Sequence, residues 1–190
     1  TPPSPILSGL VGSEMCIRDS NTTGSSNTAS GYESLKSNTE ASYNTAMGYR
    51  ALKANTTGAN NSAFGKQSLS ANTTGNRNIA IGYTAYDGAD TEDDNLAIGY
   101  AALGGSIDGG ENNVAIGNYS LDANTSGGLN VAVGFKVLTA NTTGSANTAS
   151  GHKSMEANTT GGGNTAFGYE SLKANTEAGS NTAMGYKALI

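Results

Sequence analysis

The side chains of this chain that could carry chemistry are one histidine, one cysteine and one dense group of carboxylates. His152 and Cys16 each stand alone, so the sequence offers neither a multi-His or multi-Cys metal site nor a His-assisted nucleophile. The acidic stretch 87–94 has carboxylates and turn carbonyls that would suit calcium, but it does not follow the EF-hand order. A solvated acidic turn is the simpler interpretation. We therefore expect no enzyme and no cofactor.

A second pattern that could carry chemistry is Asn-x-Thr/Ser, the acceptor sequence for N-glycosylation. Asn, Thr and Gly are also the residues of tight turns, because they bond the local backbone or tolerate positive φ. We interpret these strings as turns rather than as modification sites. They begin at Asn21, Asn55, Asn72, Asn124, Asn141 and Asn158.

Apart from Cys16, these residues are positioned by an internal repeat whose core is Asn-x-Ala-x-Gly. Eight of the nine intervals between successive copies are 17 residues and one is 18. A period this short makes each copy one coil of a solenoid rather than a domain. The ten copies start at Asn27, Asn44, Asn61, Asn78, Asn95, Asn113, Asn130, Asn147, Asn164 and Asn181.

The alternation within Asn-x-Ala-x-Gly has a period of two, which predicts a β-strand in every coil. Its constant face is small and suits the interior of a narrow coil, where the fixed glycine marks close backbone approach or a bend. The ten asparagines could stack from coil to coil as a hydrogen-bonded ladder. Coils about 4.8 Å apart would make a rod of roughly 50 Å. The predicted fold is an all-β parallel β-solenoid.

The other face of the strand is variable and becomes fully apolar in the middle coils. If it points outward it needs a partner surface, and we take it as a candidate trimer interface. The alternative is that it fills the coil's own core, because the pattern alone does not give the facing. These residues are Ile79, Ile81, Leu96, Ile98, Val114, Ile116, Val131 and Val133.

The second arm of each coil follows the glycine, as in residues 49–54, Tyr-Arg-Ala-Leu-Lys-Ala. Adjacent Ala and Leu fit a strand poorly, whereas Tyr and Leu three apart fit a helical turn. The segment is too short to decide between a short strand and a helical turn, and we favour a strand. Asn-Thr-Thr-Gly then closes the coil as a turn.

Composition and charge narrow the function further. A net charge of −5 argues against nucleic acid and anionic membrane surfaces as partners. No window has the roughly 20 apolar residues of a spanning helix.

Residues 1–20 lack the repeat and resemble a translated library or adaptor scar from metagenomic reading frames, the alternative being a disordered linker. We expect the repeat domain to cover 21–190 and the chain to be a fragment.

Two segments carry a family resemblance: residues 114–120, Val-Ala-Ile-Gly-Asn-Tyr-Ser, and residues 96–102, Leu-Ala-Ile-Gly-Tyr-Ala-Ala. Both resemble the YadA-like head repeat of trimeric autotransporter adhesins, and the similarity runs from Asn21 to Ile190. It implies a left-handed parallel β-roll in a homotrimer whose outward apolar faces are buried against one another. The coil here is longer than the family's usual coil, because Leu-x-Ala-Asn-Thr-Thr-Gly extends the second arm.

The resemblance implies a cell-surface location, with an outer-membrane anchor outside this segment, and attachment to a host surface, matrix component or glycan. Similar arrays occur in phage tail fibres, so a tail-fibre shaft on a virion is an alternative. A third hypothesis is an ice- or glycan-binding solenoid that uses its Thr rows, although Thr after Asn gives way to Ile, Leu and Val in the middle coils. An enzyme is the weakest reading, because acids cluster only in the turns.

Overall fold

The computed structural model describes residues 20–88, 90–106 and 108–190, and in this part of the chain each coil contributes one three-residue strand. The interpretations of residues 1–19 lie outside the described residues. We number the coils from 1 to 10, each beginning at its conserved Asn. The strands are β1 Thr28–Ser30, β2 Thr45–Met47, β3 Ser62–Phe64, β4 Ile79–Ile81, β5 Leu96–Ile98, β6 Val114–Ile116, β7 Val131–Val133, β8 Thr148–Ser150, β9 Thr165–Phe167 and β10 Thr182–Met184.

All ten strands form one sheet in which each strand pairs in parallel with the strand of the next coil. Ala46 pairs with Ala63, and Ala63 pairs with Ala80, so residues one repeat apart are direct neighbours. The one-residue insertion of coil 5 does not shift the register, because Ala97 still pairs with Ala115. The predicted all-β parallel solenoid is confirmed.

The glycine after each strand is required by its conformation and its surroundings. Gly48 has a φ of +141°, and a Cβ there would lie 2.4 Å from the carbonyl oxygen of Gly65 in the next coil. Only glycine combines that φ with such close backbone approach. The glycine column therefore turns the chain sharply at the end of every strand.

The second arm is not the strand that we favoured, nor a helical turn. It is a run of turns in which every second residue is left-handed, as at Arg50 (φ 59°) and Leu52 (φ 49°). In an extended strand, adjacent side chains point to opposite faces. The left-handed residues break that rule, so that Ala51 and Leu52 are both completely buried.

The core is a narrow interior built from columns of small and medium side chains. The strand alanines form one column, and in coils 1 to 9 the Leu eight places after the conserved Asn forms another, with Tyr86 and Met155 as its substitutes. A third column consists of the residue before that Leu, which is Ala, Ser or Val. Each coil packs on its two neighbours, which is the arrangement expected of a solenoid.

Candidate interaction surface

The eight residues of the candidate interface, which we call the apolar stripe, are the first and third residues of strands β4 to β7. Ile79 and Ile81 are 40% exposed and Val131 and Val133 are 36% exposed, while the four residues between them are half-buried. The alanine between each pair is completely buried. The stripe therefore points away from the coil interior, and the alternative that it fills the coil's own core is wrong.

The outward face continues beyond the stripe with one large apolar residue in four of the six other strands. Met47, Phe64, Phe167 and Met184 stand at the third strand position and are all exposed. In β8 that position is Ser150. The paired apolar residues are thus confined to four consecutive coils in the middle of the described rod.

An aromatic column lies two residues beyond the stripe along the chain, in the position that is usually Tyr. Tyr83 and Tyr100 have ring centroids 5.5 Å apart. In coil 6 this position is Asn118, and the next residue, Tyr119, places its ring 5.0 Å from that of Tyr100. Lys66 occupies the column in coil 3, with its Nζ 5.9 Å and 5.1 Å from the ring centroids of its two Tyr neighbours. The sequence showed the recurring Tyr, but not that the rings contact each other from coil to coil.

His152 belongs to this aromatic column. Its ring lies between those of Phe135 and Tyr169, with centroid distances of 5.4 Å and 5.1 Å and nearly parallel planes. This placement agrees with its interpretation as a repeat substitution for Tyr.

The ten conserved asparagines form a column that is buried from Asn44 to Asn164 and half-buried at its ends, but their link between coils differs from the expected stacking of amides. The backbone N–H of Asn61 donates to Oδ1 of Asn44 at 2.8 Å. The Asn61 Nδ2 atom donates to the carbonyl oxygen of Gly75, 14 residues later, at 2.7 Å. Each asparagine of this column in coils 1 to 9 therefore joins two coils with its oxygen and closes its own coil with its nitrogen, whereas Nδ2 of Asn181 donates to Oδ1 of Asn164 at 3.0 Å.

The ladder of stacked amides is instead formed by the asparagines that begin the Asn-Thr-Thr-Gly turns. The sequence predicted only a turn for these residues. Nδ2 of Asn72 donates to Oδ1 of Asn55 at 2.8 Å, and Nδ2 of Asn158 donates to Oδ1 of Asn141 at 2.9 Å. Their recurrence at the 17-residue period was the signal that could have revealed this second ladder.

The same turn asparagines begin most of the Asn-x-Thr/Ser strings, and in the folded chain their side chains are inaccessible to glycosylation. Asn55, Asn72, Asn124, Asn141 and Asn158 are completely buried. Each donates its Nδ2 to the carbonyl three residues on, as Asn124 does to Gly127 at 2.9 Å. The nitrogen that would carry a glycan is thus buried and engaged.

The turn threonines use one hydroxyl of each pair internally. Thr56 Oγ1 donates to the carbonyl oxygen of Thr73 at 3.0 Å, and Thr142 Oγ1 donates to that of Thr159 at 3.1 Å. The second residue of each pair, such as Thr57, is exposed. This exposed position is Glu40 in coil 1 and Ser126 in coil 6, and coil 5 contains no Thr, so the exposed threonines do not form a continuous row.

The acidic stretch 87–94 forms the turn of coil 4, and further acids follow in the turns of coils 5 and 6. Arg77 pairs with Asp94 at 2.6 Å and with Asp93 at 3.0 Å, and its hydrogen bond lowers the pKa of Asp94. Burial raises the pKa values of Asp87 and Asp122. Within the described ranges, no group of three or more His, Cys, Asp or Glu residues comes together in a way that could hold a metal ion.

The comparisons with known proteins give no relative: no family model, no curated protein and no solved structure matches the chain. Among the residues that the structure describes, no helix has the length and apolar character needed to cross a bilayer.

Proposed function

We propose that residues 21–190 form a structural and adhesive segment of a surface fibre, in which three copies of the chain associate through the apolar stripe. The observation that carries this proposal is the facing of the stripe, which leaves eight apolar residues in adjacent coils uncovered on one chain. Contiguous exposed apolar surface of this kind is typical of protein–protein interfaces.

A second copy of the same chain suits this surface because the repeat makes it regular along the rod. Strands β4 to β7 present the same two positions at each step, and side-by-side chains in parallel register bring equivalent coils together. Each Å² of apolar surface buried between chains contributes about 25 cal/mol to the free energy of association. The contributions of the four coils on each of the three chains therefore sum. Closed symmetric association is also the common outcome for identical chains.

The role of such an assembly would be multivalent attachment. Three chains that each present repeated coils multiply weak contacts, and linked contacts can exceed a single affinity by about 10²–10⁴. The carrier would be a trimeric autotransporter-type head on the cell surface or, as the alternative, a phage tail fibre. The adjoining sequence separates the two: a membrane-anchor barrel at the C-terminal side for the first, a self-cleaving chaperone domain for the second.

Association is tested by the mass of residues 21–190 in solution, measured by light scattering, which should be three times that of one chain. Ile98→Asp places a carboxylate within the stripe and should dissociate the assembly, because an unpaired charge would be buried at the interface. Ser150→Asp is the matched control, since it adds the same charge at the third strand position of β8.

A monomeric wild-type chain, or an Ile98→Asp variant that stays associated, would contradict the trimer. Attachment is tested separately by the binding of labelled trimer to a glycan array and to immobilised collagen. We expect the dissociated variant to lose at least about tenfold in retention, as multivalency requires. Equal retention of trimer and monomer would contradict the attachment mechanism but not the trimer.

A further inference from the structure

By itself the apolar stripe offers less surface than a trimer needs. Its eight side chains are half-buried or at most 40% exposed, so together they offer on the order of a few hundred Å² of apolar surface. A stable interface buries about 800 Å² on each partner, and every chain of a trimer has two partners. Further exposed surface on the same chain must therefore take part in the association.

The aromatic column adjoins the stripe. In coil 5 only Gly99 separates Ile98 from Tyr100, and two residues span at most about 7 Å. Gly99 has no side chain to come between the other two, and its φ of +135° turns the chain at this point. The stripe and the aromatic column therefore lie next to each other on the two sides of a bend.

The rings of the column remain exposed although they contact one another from coil to coil. Tyr83 is 43%, Tyr100 is 40% and Phe135 is 39% exposed. At roughly 150–250 Å² for an aromatic side chain, each of these rings offers about 60–100 Å². Tyrosine and phenylalanine are also enriched in protein–protein interfaces. The column thus supplies additional surface of the kind that the stripe lacks.

Three-fold symmetry requires each chain to use two different patches. In a closed ring of three chains, a patch on one chain meets a different patch on the next chain, so that the contacts are head-to-tail. The stripe on a single sheet face is only one such patch. Two adjoining patches on the two sides of a bend meet this requirement, because each can face a different neighbour.

For the proposed trimer, on which this pairing rests, we infer that the aromatic column of each chain packs against the apolar stripe of the next chain. The occupant of the column is thus a second copy of the same chain. Coils 4 to 7 carry both patches, whereas the strand of coil 8 has Thr148 and Ser150 in place of the paired apolar residues. The rings of coils 4 to 7 are Tyr83, Tyr100, Tyr119 and Phe135.

Disulfide cross-linking tests the pairing on residues 21–190, which contain no cysteine. Chains with Ile98→Cys and chains with Tyr100→Cys are refolded together and oxidised, and covalent dimers are measured on a non-reducing gel. The mixture should give at least about tenfold more dimer than either variant alone, because a disulfide needs Cα atoms within about 7 Å. No dimer from the mixture, or as much dimer from one variant alone, would overturn the pairing.

A charge on the column gives a second test. Tyr100→Asp should raise the dissociation constant of the trimer at least about tenfold in light scattering, because its carboxylate would be buried against the neighbouring stripe. His152→Asp is the matched control, since His152 also lies between two rings but belongs to coil 8. Thermal unfolding by circular dichroism compares the folding of the two variants, and the disulfide test does not depend on it.

Equal weakening by the two Asp variants, or an unchanged trimer in Tyr100→Asp, would overturn the role of the column and leave the stripe as the trimer interface. Loss of glycan-array binding by a Tyr100→Asp chain that stays trimeric would assign the column to a glycan and overturn the pairing as well. A monomeric wild-type chain would overturn both the pairing and the proposed trimer.

Discussion

The Oδ1 atom of Asn44 accepts the backbone N–H of Asn61 at 2.8 Å, and this bond is repeated at every later step of the column, including the 18-residue step. A side-chain oxygen thus provides the acceptor that an extended neighbouring strand would otherwise supply. The same side chain also closes its own coil through its Nδ2 atom. One residue type therefore both links successive coils and closes each coil of the solenoid.

Replacing one of these asparagines should lower the free energy of unfolding. In Asn61→Ala the buried N–H of Asn78 loses its acceptor, while the carbonyl of Gly75 loses one of two donors and keeps Nδ2 of Asn72. At about 1–3 kcal/mol for an unpaired buried group, we expect a loss of about 1–3 kcal/mol in urea unfolding. Thr57→Ala, at an exposed position, should change stability by less than about 0.5 kcal/mol. Equal losses in the two variants would contradict the role of the column.

The glycine column gives a second prediction, which concerns the difference in stability between two Gly→Ala variants. Gly117 has a φ of +126°, and a Cβ there would lie 2.3 Å from the carbonyl oxygen of Gly134. Gly117→Ala should therefore lower the free energy of unfolding by at least about 2 kcal/mol. At Gly163 φ is also positive (+69°), but the nearest atom is 3.7 Å from the added Cβ. Gly163→Ala should cost only the conformational strain, about 1 kcal/mol, and thermal unfolding of both variants separates collision from strain.

The strand and its division into two alternating faces could be predicted, because alternation with a period of two maps directly onto alternating burial. The sequence left open which face was inside, and the structure decides it through the completely buried Ala80 between Ile79 and Ile81. The small side chain fits where the coil is narrowest. The larger residues are outside for the same steric reason.

The second arm could not be predicted because its turns carry no sequence marker. Left-handed residues are usually recognised by Gly or Asn, yet here they are residues such as Arg50 and Leu52. Packing in the coil imposes this conformation against local preference. The repeat period indicates two asparagine columns but does not say which of them stacks its amides, because both recur from coil to coil.

Local strain at the position before each conserved Asn gives a third prediction. Ala146 is exposed and has a φ of 57°, which costs an L-residue about 1–2 kcal/mol and glycine nothing. After the entropy that glycine loses on folding, Ala146→Gly should stabilise the chain by about 0.5 kcal/mol. Ala140→Gly, without a left-handed φ, should destabilise it by about 0.5–1 kcal/mol. Equal signs for the two variants in thermal unfolding would contradict the strain argument.

Acid stability should depend on Glu33, which lies among three cations. Its carboxylate is 2.7 Å from Lys36 Nζ, 2.8 Å from Arg50 Nε and 3.3 Å from Lys53 Nζ. These contacts, the hydrogen bond from Lys36 first, lower the pKa of Glu33 from an ordinary 4.5 to about 2. Because the folded-state pKa is the lower one, this stabilisation is present above pH 4.5 and is lost as the pH falls toward 2.

Glu33→Gln should accordingly lower the unfolding temperature at pH 7 and have no effect near pH 2, with the difference closing between these values. Salt should reduce the effect at pH 7, because the three cations are partly exposed and screened. Glu177→Gln is the control, since Glu177 is an exposed acid in a turn. The prediction is checked by thermal unfolding followed by circular dichroism across the pH range. A Glu33→Gln difference that stays constant with pH would show that the loss comes from packing and not from charge.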